Sequence, residues 1–320
     1  DLAIILIDAR KGVLTQTRRH TFICTLLGIR HLVVAVNKMD LMGFDQDVFR
    51  KIEEDYRAFA KSIGADDVTV IPVSALMGDN MIDRSLNMPW YHGPTLMAHL
   101  ETVPVGDDLE TKPFRLPVQW VNRPNQNFRG FSGTIVSGKV KPGDAIKVLP
   151  SARTSTVERV VTYGGDLEEG IAGQSLTITL KDEIDISRGD VICAANDPVE
   201  VSDQFQVEIL WMSDEPMLPG RPYLFKSSTK TVPGTLDDLK YKVNVNTMEH
   251  VAAKTLTLNE IGVCNLELDT PIAFAPYLEN RHLGSFIIID RFTNNTVGMG
   301  LIRFALRRAA NIHWQAVDVH

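Results

Sequence analysis

The pattern of apolar and polar positions changes character about one third of the way along the chain. Residues 1–104 alternate continuous apolar runs, typical of buried parallel strands, with stretches of helical periodicity. We predict strands at 2–8, 32–36 and 68–73, and helices from about Thr15 to Leu27, Gln46 to Ile63 and Gly93 to Leu100. This order indicates half of a doubly wound α/β sheet.

Beyond Pro104 the apolar runs shorten and alternate with polar residues, and turn signals separate them. The turns are Lys141-Pro142-Gly143-Asp144, Tyr163-Gly164-Gly165-Asp166, Ser187-Arg188-Gly189-Asp190 and Leu218-Pro219-Gly220. Evenly spaced short strands without helices predict β-barrels. With a break near Asp197-Pro198, we expect an α/β domain at 1–104, barrels at 112–198 and 203–305, and a C-terminal junction at 306–320.

Composition narrows the classes of partner. The net charge of −7 argues against a general nucleic-acid or membrane-surface binder, so we expect neither partner. The three cysteines, Cys24, Cys193 and Cys264, are far apart and lack metal-site spacing, which favours a reducing compartment and predicts no metal site. No apolar run reaches the ~18 residues of a membrane span. We therefore expect a cytoplasmic protein.

The candidate chemistry begins directly after the apolar run 32–36, with Asn37-Lys38-Met39-Asp40. An ionised Asp40 can accept two hydrogen bonds from guanine, at N1–H and at the exocyclic amine, whereas adenine offers neither donor. Asn37 can tie neighbouring loops together, and the Lys38 stem can lie along the purine face. The alternative is a polar turn after a buried strand, and four residues alone leave the two interpretations at even odds.

A second segment favours the guanine-site interpretation over the polar turn. The strand at 68–73 runs into Ser74-Ala75-Leu76, which matches the loop whose backbone amides meet guanine O6. Ligands of open α/β sheets bind outside the carboxyl ends of the strands, where both segments are expected. We therefore predict a guanine pocket built from Asn37, Lys38, Asp40, Ser74 and Ala75, with no catalytic residue among them.

Two elements of a GTPase are missing from the 320 residues. There is no Gly-x-x-x-x-Gly-Lys-Ser/Thr phosphate loop, and Asp8-Ala9-Arg10-Lys11-Gly12 has the wrong spacing for the Asp-x-x-Gly metal segment. The chain also opens inside an apparent core strand. We expect a fragment of a P-loop GTPase sheet that binds GTP, has its Mg²⁺ ligands outside these residues, and alone hydrolyses little or no GTP.

The whole pattern resembles the elongation-factor-Tu architecture, in which a GTPase domain precedes two β-barrels. The segment 88–96, Met-Pro-Trp-Tyr-His-Gly-Pro-Thr-Leu, resembles the elongation-factor-1-alpha branch, and 131–138 followed by 141–144 is similar to the first hairpin of barrel two. More specific segments resemble the GTPase subunit of bacterial sulfate adenylyltransferase, namely 224–229, 259–262, 273–277 and 284–297. The segment 304–315 resembles the junction of forms fused to an adenylyl-sulfate kinase.

This resemblance implies a two-protein enzyme. A small catalytic subunit would join ATP and sulfate into adenosine 5′-phosphosulfate and pyrophosphate, and the GTPase subunit would couple GTP hydrolysis to that uphill reaction. The alternative is a translation elongation factor that carries aminoacyl-tRNA, for which we would expect a basic groove and salt-sensitive RNA affinity. A third hypothesis is a structural module without activity of its own.

Other residues have a structural interpretation that we favour. Asp8 ends a strand at the functional edge, but we expect it to cap a turn rather than act in catalysis. Trp90 and Tyr91 are expected to pack, not to stack on a base. We assign no role to His20 or His31. Arg303, Arg307 and Arg308 are expected to form the solvated end of the last element.

Overall fold

A computed structural model describes residues 1–104, 106, 109–125 and 128–306. The chain divides into two compact units. The first comprises the described part of residues 1–107 together with Asn244–His250, and the second comprises the described remainder. The predicted junction at 306–320 falls almost entirely on residues 307–320, which lie outside the described residues.

The first unit is built around a parallel sheet with helical connections. Its elements are β1 (Leu2–Asp8), α1 (Thr15–Leu26), β2 (His31–Asn37), α2 (Gln46–Ser62), β3 (Val68–Pro72) and α3 (Leu96–Thr102). The sheet order is β1-β2-β3, and both pairings are parallel. The predicted α/β pattern is therefore confirmed.

Burial explains why β2 and α2 form where they do. The apolar run Leu32–Val36 in β2 is almost fully buried, as expected for the central strand of a covered parallel sheet. In α2, Asp45 caps the N-terminus by accepting hydrogen bonds from the amides of Asp47 (2.7 Å) and Val48 (3.3 Å). Gly64, at a φ of 73°, follows the end of the helix.

The two other helices differ from the predicted pattern. In α1 the buried residues are Thr17 and Thr21, whereas the apolar Phe22 and Ile23 are only half-buried. Thr21 Oγ1 donates to the Thr17 carbonyl at 2.9 Å and lies 2.8 Å from the hydroxyl of Tyr56 on α2. Since Thr21 has a single hydroxyl proton, Tyr56 is the donor of the second bond. A buried polar pair, and not the apolar residues of the helix, therefore makes this contact between α1 and α2.

The third helix begins later than the predicted Gly93-Pro94-Thr95 start. Thr95 has an extended conformation and its hydroxyl accepts a hydrogen bond from the Ala98 amide at 3.3 Å, so that Thr95 is the N-cap and α3 starts at Leu96. Pro94 therefore precedes the helix rather than occupying its first turn.

The second unit contains two antiparallel β structures. Strands of the first are β4 (Arg115–Pro117), β5 (Trp120–Asn125), β6 (Phe128–Thr134), β7 (Lys139–Val140), β8 (Ala145–Leu149), β9 (Arg153–Thr162), β10 (Gly165–Leu167), β11 (Gly170–Ile171), β12 (Ser175–Leu180) and β13 (Val191–Ala194). The main path runs β4-β13-β8-β9-β12-β6-β5. Arg115 in β4 also forms a bridge with Ser137, three residues beyond the end of β6, so β4 at one end of the path returns to the segment that follows β6.

The second β structure closes on itself. Its strands are β14 (Glu200–Trp211), β15 (Pro222–Ser227), β16 (Lys230–Leu236), β17 (Tyr241–Val243), β18 (His250–Val251), β19 (Ile261–Phe274), β20 (Ser285–Ile289) and β21 (Thr296–Ala305). Within the described residues, β14-β21-β20-β15-β16-β19 form a ring because β14 pairs with both β21 and β19. The ring encloses an apolar core that includes Phe205, Trp211 and Phe225.

The predicted fold class, a partial GTPase-type sheet followed by two barrels, is therefore confirmed. The exact domain boundaries stay predictions; β14, for example, begins at Glu200, ahead of the predicted start at 203. Among the described helices, none is long and apolar enough to span a membrane.

Candidate guanine-nucleotide site

The carboxyl ends of the three parallel strands bring the predicted site residues to one sheet edge. In the sheet register, Asp8 at the end of β1 lies opposite Asn37 at the end of β2, and Val36 lies opposite Pro72 of β3. The Met39 amide donates to the Val73 carbonyl at 3.2 Å, so the loop after β2 lies against the end of β3. The five predicted residues are thus neighbours in space.

Asn37 links the two loops through one atom. Its side-chain oxygen accepts hydrogen bonds from the Lys38 amide at 2.7 Å and from the Ala75 amide at 3.0 Å. An amide side chain has a separate NH₂ group with two donors. Asn37 therefore fixes the loops with its oxygen and keeps donor capacity for an acceptor such as a purine nitrogen.

Asp40 is held by a buried hydroxyl from the second loop. The Ser74 Oγ, on a residue with no exposed surface, donates to Asp40 Oδ1 at 2.6 Å and accepts from the Met77 amide at 3.2 Å. An ionised carboxylate offers about four lone-pair positions on two oxygens, and this bond uses one of them. The geometry orients Asp40 and leaves it able to accept the paired N–H donors on the edge of guanine.

The backbone amide of Ala75 makes a different contact from the predicted one with guanine O6. Its backbone amide donates to Asn37 within the protein, and so a contact with guanine O6 requires either exchange of that bond or use of a following amide in the same loop. The predicted contact of this loop with O6 stays a prediction. What the structure assigns to Ala75 is the link between the two loops.

Lys38 has an unusual backbone and a tethered side chain. Its φ of 68° and ψ of 33° lie in the left-handed region, which costs a non-glycine residue about 1 kcal/mol. Its ammonium donates to Asp8 Oδ2 at 2.9 Å. Arg10, and then Lys38, hold the pKa of the Asp8 carboxyl well below its usual range through their hydrogen bonds.

The expectation for Asp8 was therefore incomplete. Asp8 does cap the turn, since its Oδ1 accepts from the Arg10 amide at 3.0 Å, but it also connects β1 to Lys38. Sequence reasoning missed that link because it depends on the pairing of β1 with β2. The only available signal was the position of an acid at the end of a predicted parallel strand.

The loop after Ser74 is folded back on itself. The Gly78 amide donates to the Ser74 carbonyl at 2.8 Å, and the Ser74 amide donates to the Asp79 carbonyl at 3.2 Å. The buried Asn80 anchors the following segment through its side-chain amide, which donates to the Pro72 carbonyl at 2.9 Å. These bonds fix the turn that carries Ser74 and Ala75.

Trp90 and Tyr91 pack as expected, whereas the expectation for Arg303 needs correction. Trp90 packs on Phe49 of α2 with ring centres 5.4 Å apart and donates its indole N–H to the Phe44 carbonyl at 3.1 Å. Tyr91 lies edge-on to Phe49, at 6.1 Å. His31 lies against Asp67. Arg303 is paired with Glu208 rather than solvated alone, and Arg307 and Arg308 fall outside the described residues.

No cluster of three or more metal-ligating side chains occurs in the part of the chain that the structure describes. The residues that the structure brings together suit a nucleobase, because they supply hydrogen-bond acceptors, donors and an aliphatic stem. They do not by themselves supply ligands for a phosphate-bound Mg²⁺.

Comparisons with known families agree with this architecture. Residues 1–114 match the elongation factor Tu GTP binding domain, residues 131–193 match elongation factor Tu domain 2, and residues 204–303 match the GTP-eEF1A C-terminal domain-like family. A crystal structure of sup35 complexed with GMPPNP covers 96% of this chain and 79% of its own, with a TM-score of 0.58 and 23% identity, which supports the fold alone. The chain belongs to the elongation-factor-Tu-like GTPases.

Relatives narrow the family within that class. The chain is 54% identical over 319 residues to the bifunctional enzyme NodQ of Rhizobium sp. (strain N33), covering 100% of this chain and 49% of NodQ. It is 55% identical over 304 residues to sulfate adenylyltransferase subunit 1 of Aliarcobacter butzleri (strain RM4018), covering 95% of this chain and 65% of that protein. It is thus a member of the family that contains these two proteins, and it spans about half to two thirds of their length.

Proposed function

We propose that this chain supplies the guanine-reading part of a GTPase subunit of sulfate adenylyltransferase. The single observation that carries the proposal is the linked pair of loops in which Ser74 orients Asp40 and Asn37 holds Ala75. The 55% identity to a sulfate adenylyltransferase subunit 1 supplies the substrate class. Asn37, Lys38, Asp40, Ser74 and Ala75 are the proposed nucleotide-site residues.

In this proposal Asp40 selects the base. Its carboxylate accepts from guanine N1–H and from the exocyclic amine, while Lys38 covers one face of the ring with its aliphatic stem. A site built for such donors rejects a base that lacks them, because the carboxylate would be left unpaired. None of the five residues is proposed as a ligand of Mg²⁺, which would bind with the phosphates and neutralise their charge.

The proposed reaction is the formation of adenosine 5′-phosphosulfate and pyrophosphate from ATP and sulfate, coupled to GTP hydrolysis. The phosphoric–sulfuric anhydride is a high-energy bond, so a second hydrolysis can drive its formation only if the conformational states of two subunits are linked. The proposed partner is therefore a small catalytic subunit, and the proposed compartment is the cytoplasm. Fusion to an adenylyl-sulfate kinase region stays a prediction from the segment 304–315.

The translation-factor alternative has less support. Identity to sulfate adenylyltransferase subunit 1 of Aliarcobacter butzleri is 55% over 304 residues, which favours the sulfate-activation hypothesis. The net charge of −7 also gives no general basis for RNA affinity. The sulfate-activation hypothesis is therefore favoured.

The test is sulfate adenylylation by the protein at its full natural length, mixed with its candidate small subunit, with and without GTP. We expect strong stimulation by GTP in the wild type. Asp40→Asn should lose stimulation by GTP and regain it with xanthosine triphosphate, whose C2 carbonyl accepts where guanine donates. Asp55→Asn, an exposed acid on α2, serves as the matched control and should behave as the wild type.

Absence of stimulation by any nucleotide would contradict the coupling function. Submicromolar, salt-dependent binding of tRNA would instead favour the translation-factor hypothesis.

A further inference from the structure

Asp8 makes more contacts than a turn cap requires. Its Oδ1 accepts from the backbone amide and from the Nε of Arg10, both at 3.0 Å. Its Oδ2 accepts from Arg10 Nη2 at 2.6 Å and from Lys38 Nζ at 2.9 Å. A cap needs one oxygen acceptor, which asparagine or serine could also provide. The second oxygen reaches across to the next strand.

Lys38 is fixed at both ends of its side chain. At the backbone end, the left-handed conformation is stabilised because its amide donates to Asn37 Oδ1 at 2.7 Å. At the other end, the ammonium is held by Asp8. A free lysine side chain loses rotamer entropy when a ligand orders it. A tethered stem has already lost part of it before any ligand arrives.

The Asp8–Lys38 ion pair is expected to contribute little to the stability of the fold. The Lys38 side chain is 45% exposed, and ion pairs with that much solvent contact contribute little to stability. Arg10 alone would provide the Asp8 carboxylate with a bidentate partner. What the Asp8–Lys38 contact adds is a fixed end for an aliphatic stem that starts two residues before Asp40, in the loop proposed to read the purine.

We propose that Asp8 is a positioning residue for the guanine site, whose carboxylate holds the Lys38 ammonium so that the stem lies along the face of a bound guanine base. This inference rests on the proposed function. Asp8 itself does not touch the nucleotide, and it acts on the base rather than on the phosphates. Loss of the Asp8 carboxylate should therefore weaken the binding of guanosine and of GDP by the same factor.

The test is a double-mutant cycle on nucleotide binding, measured by calorimetry with GDP and with guanosine on the protein at its full natural length. Asp8→Asn keeps an oxygen for the Arg10 amide and removes the charge that holds Lys38. We expect its affinity for both ligands to fall about fivefold to twentyfold. In a Lys38→Met background, Asp8→Asn should cause no further loss, since the group that it positions is gone.

A matched control separates this effect from the loss of a surface charge. Asp166 forms a comparable bidentate pair with Arg159, at 2.7 Å for both bonds, on an exposed hairpin of the first barrel. Asp166→Asn should leave both affinities unchanged. If Asp8→Asn does not fold, Asp8→Ser also retains an acceptor for the turn and carries the same expectation.

Two results would overturn the inference, and they differ from failure of the proposed function. Unchanged affinity in Asp8→Asn, or an equal loss in the presence and absence of Lys38, would reduce Asp8 to a structural cap while the guanine site survived. If the wild type bound neither GDP nor guanosine, the guanine site itself would be wrong, and the role of Asp8 would be wrong with it.

Discussion

Two carboxylates of this protein, Asp40 and Glu208, have similar short polar bonds but opposite surroundings. Asp40 lies just beyond the end of a parallel strand and accepts a bond from Ser74 on one oxygen. Glu208 lies in the middle of β14, is 7% exposed, and accepts from Arg303 Nε at 3.1 Å and Nη2 at 2.8 Å. The first is oriented and still has acceptor capacity, whereas the second is enclosed within the barrel wall.

This difference shows why a carboxylate at the end of a strand can bind a ligand, whereas a buried carboxylate in the middle of a strand cannot. Glu208 is buried on a strand that is paired on both sides, so its charge must be satisfied by the fold itself. At the end of a strand, loops hold the group from one side and leave the other side open to solution. Substitutions at the strand-end loops should therefore change ligand affinity, while substitutions at Glu208 should change stability.

The largest expected effect that separates the two regions is on ligand affinity, in Asn37→Ala. This change removes the acceptor for both the Lys38 and the Ala75 amides and so uncouples the two loops. Affinity for GDP should fall about 100-fold, since two bonds and the alignment of Asp40 are lost. The measurement is a calorimetric titration. Wild-type affinity in this variant would mean that the loops hold their places without Asn37.

The next effect is on stability alone. Glu208→Ala leaves the Arg303 guanidinium without its carboxylate, and because Arg303 is 39% exposed, water compensates part of the loss. We expect the free energy of unfolding to fall by about 2 kcal/mol in urea titration. GDP affinity should be unchanged. The control is Asp166→Ala, which removes an exposed ion pair with Arg159 and should leave the free energy of unfolding nearly unchanged.

If Glu208→Ala also lowered the affinity for GDP, the proposed difference between the two regions would be wrong.

The smallest effect concerns the buried hydrogen bond between α1 and α2. Tyr56→Phe removes the hydroxyl that donates to Thr21 and should cost about 1 kcal/mol of unfolding free energy. Burial raises the pKa of Tyr56 from 10.0 to about 12. Above pH 10 the unfolded chain loses this proton first, so the advantage of the wild type should shrink between pH 10 and 12.

Unfolding titrations of both proteins across that range supply the comparison. A stability difference that stayed constant up to pH 12 would show that the Tyr56 hydroxyl does not titrate as its burial requires.

The sequence predicted the loop residues better than the contacts that organise them. That Asn37, Asp40 and Ser74 lie together could be predicted, because each follows an apolar strand of the same parallel sheet. The bond from Lys38 to Asp8 could not, since it depends on the register of two strands 30 residues apart. The same limit applies to the barrels: alternation predicted strands, but closure of the second barrel depends on β14 pairing with β19. In α1, the buried contact with α2 is the Thr21–Tyr56 hydrogen bond, which the spacing of apolar residues does not predict.

The most direct test of the account is the base preference of Asp40→Asn in the protein at its full natural length. We would measure the dissociation constants of GDP and xanthosine diphosphate for this variant and for the wild type. If Asp40 reads the base, affinity for GDP falls at least about 100-fold and xanthosine diphosphate becomes the preferred ligand. An unchanged preference for GDP would remove Asp40 from the site and, with it, the guanine pocket on which the proposed function rests.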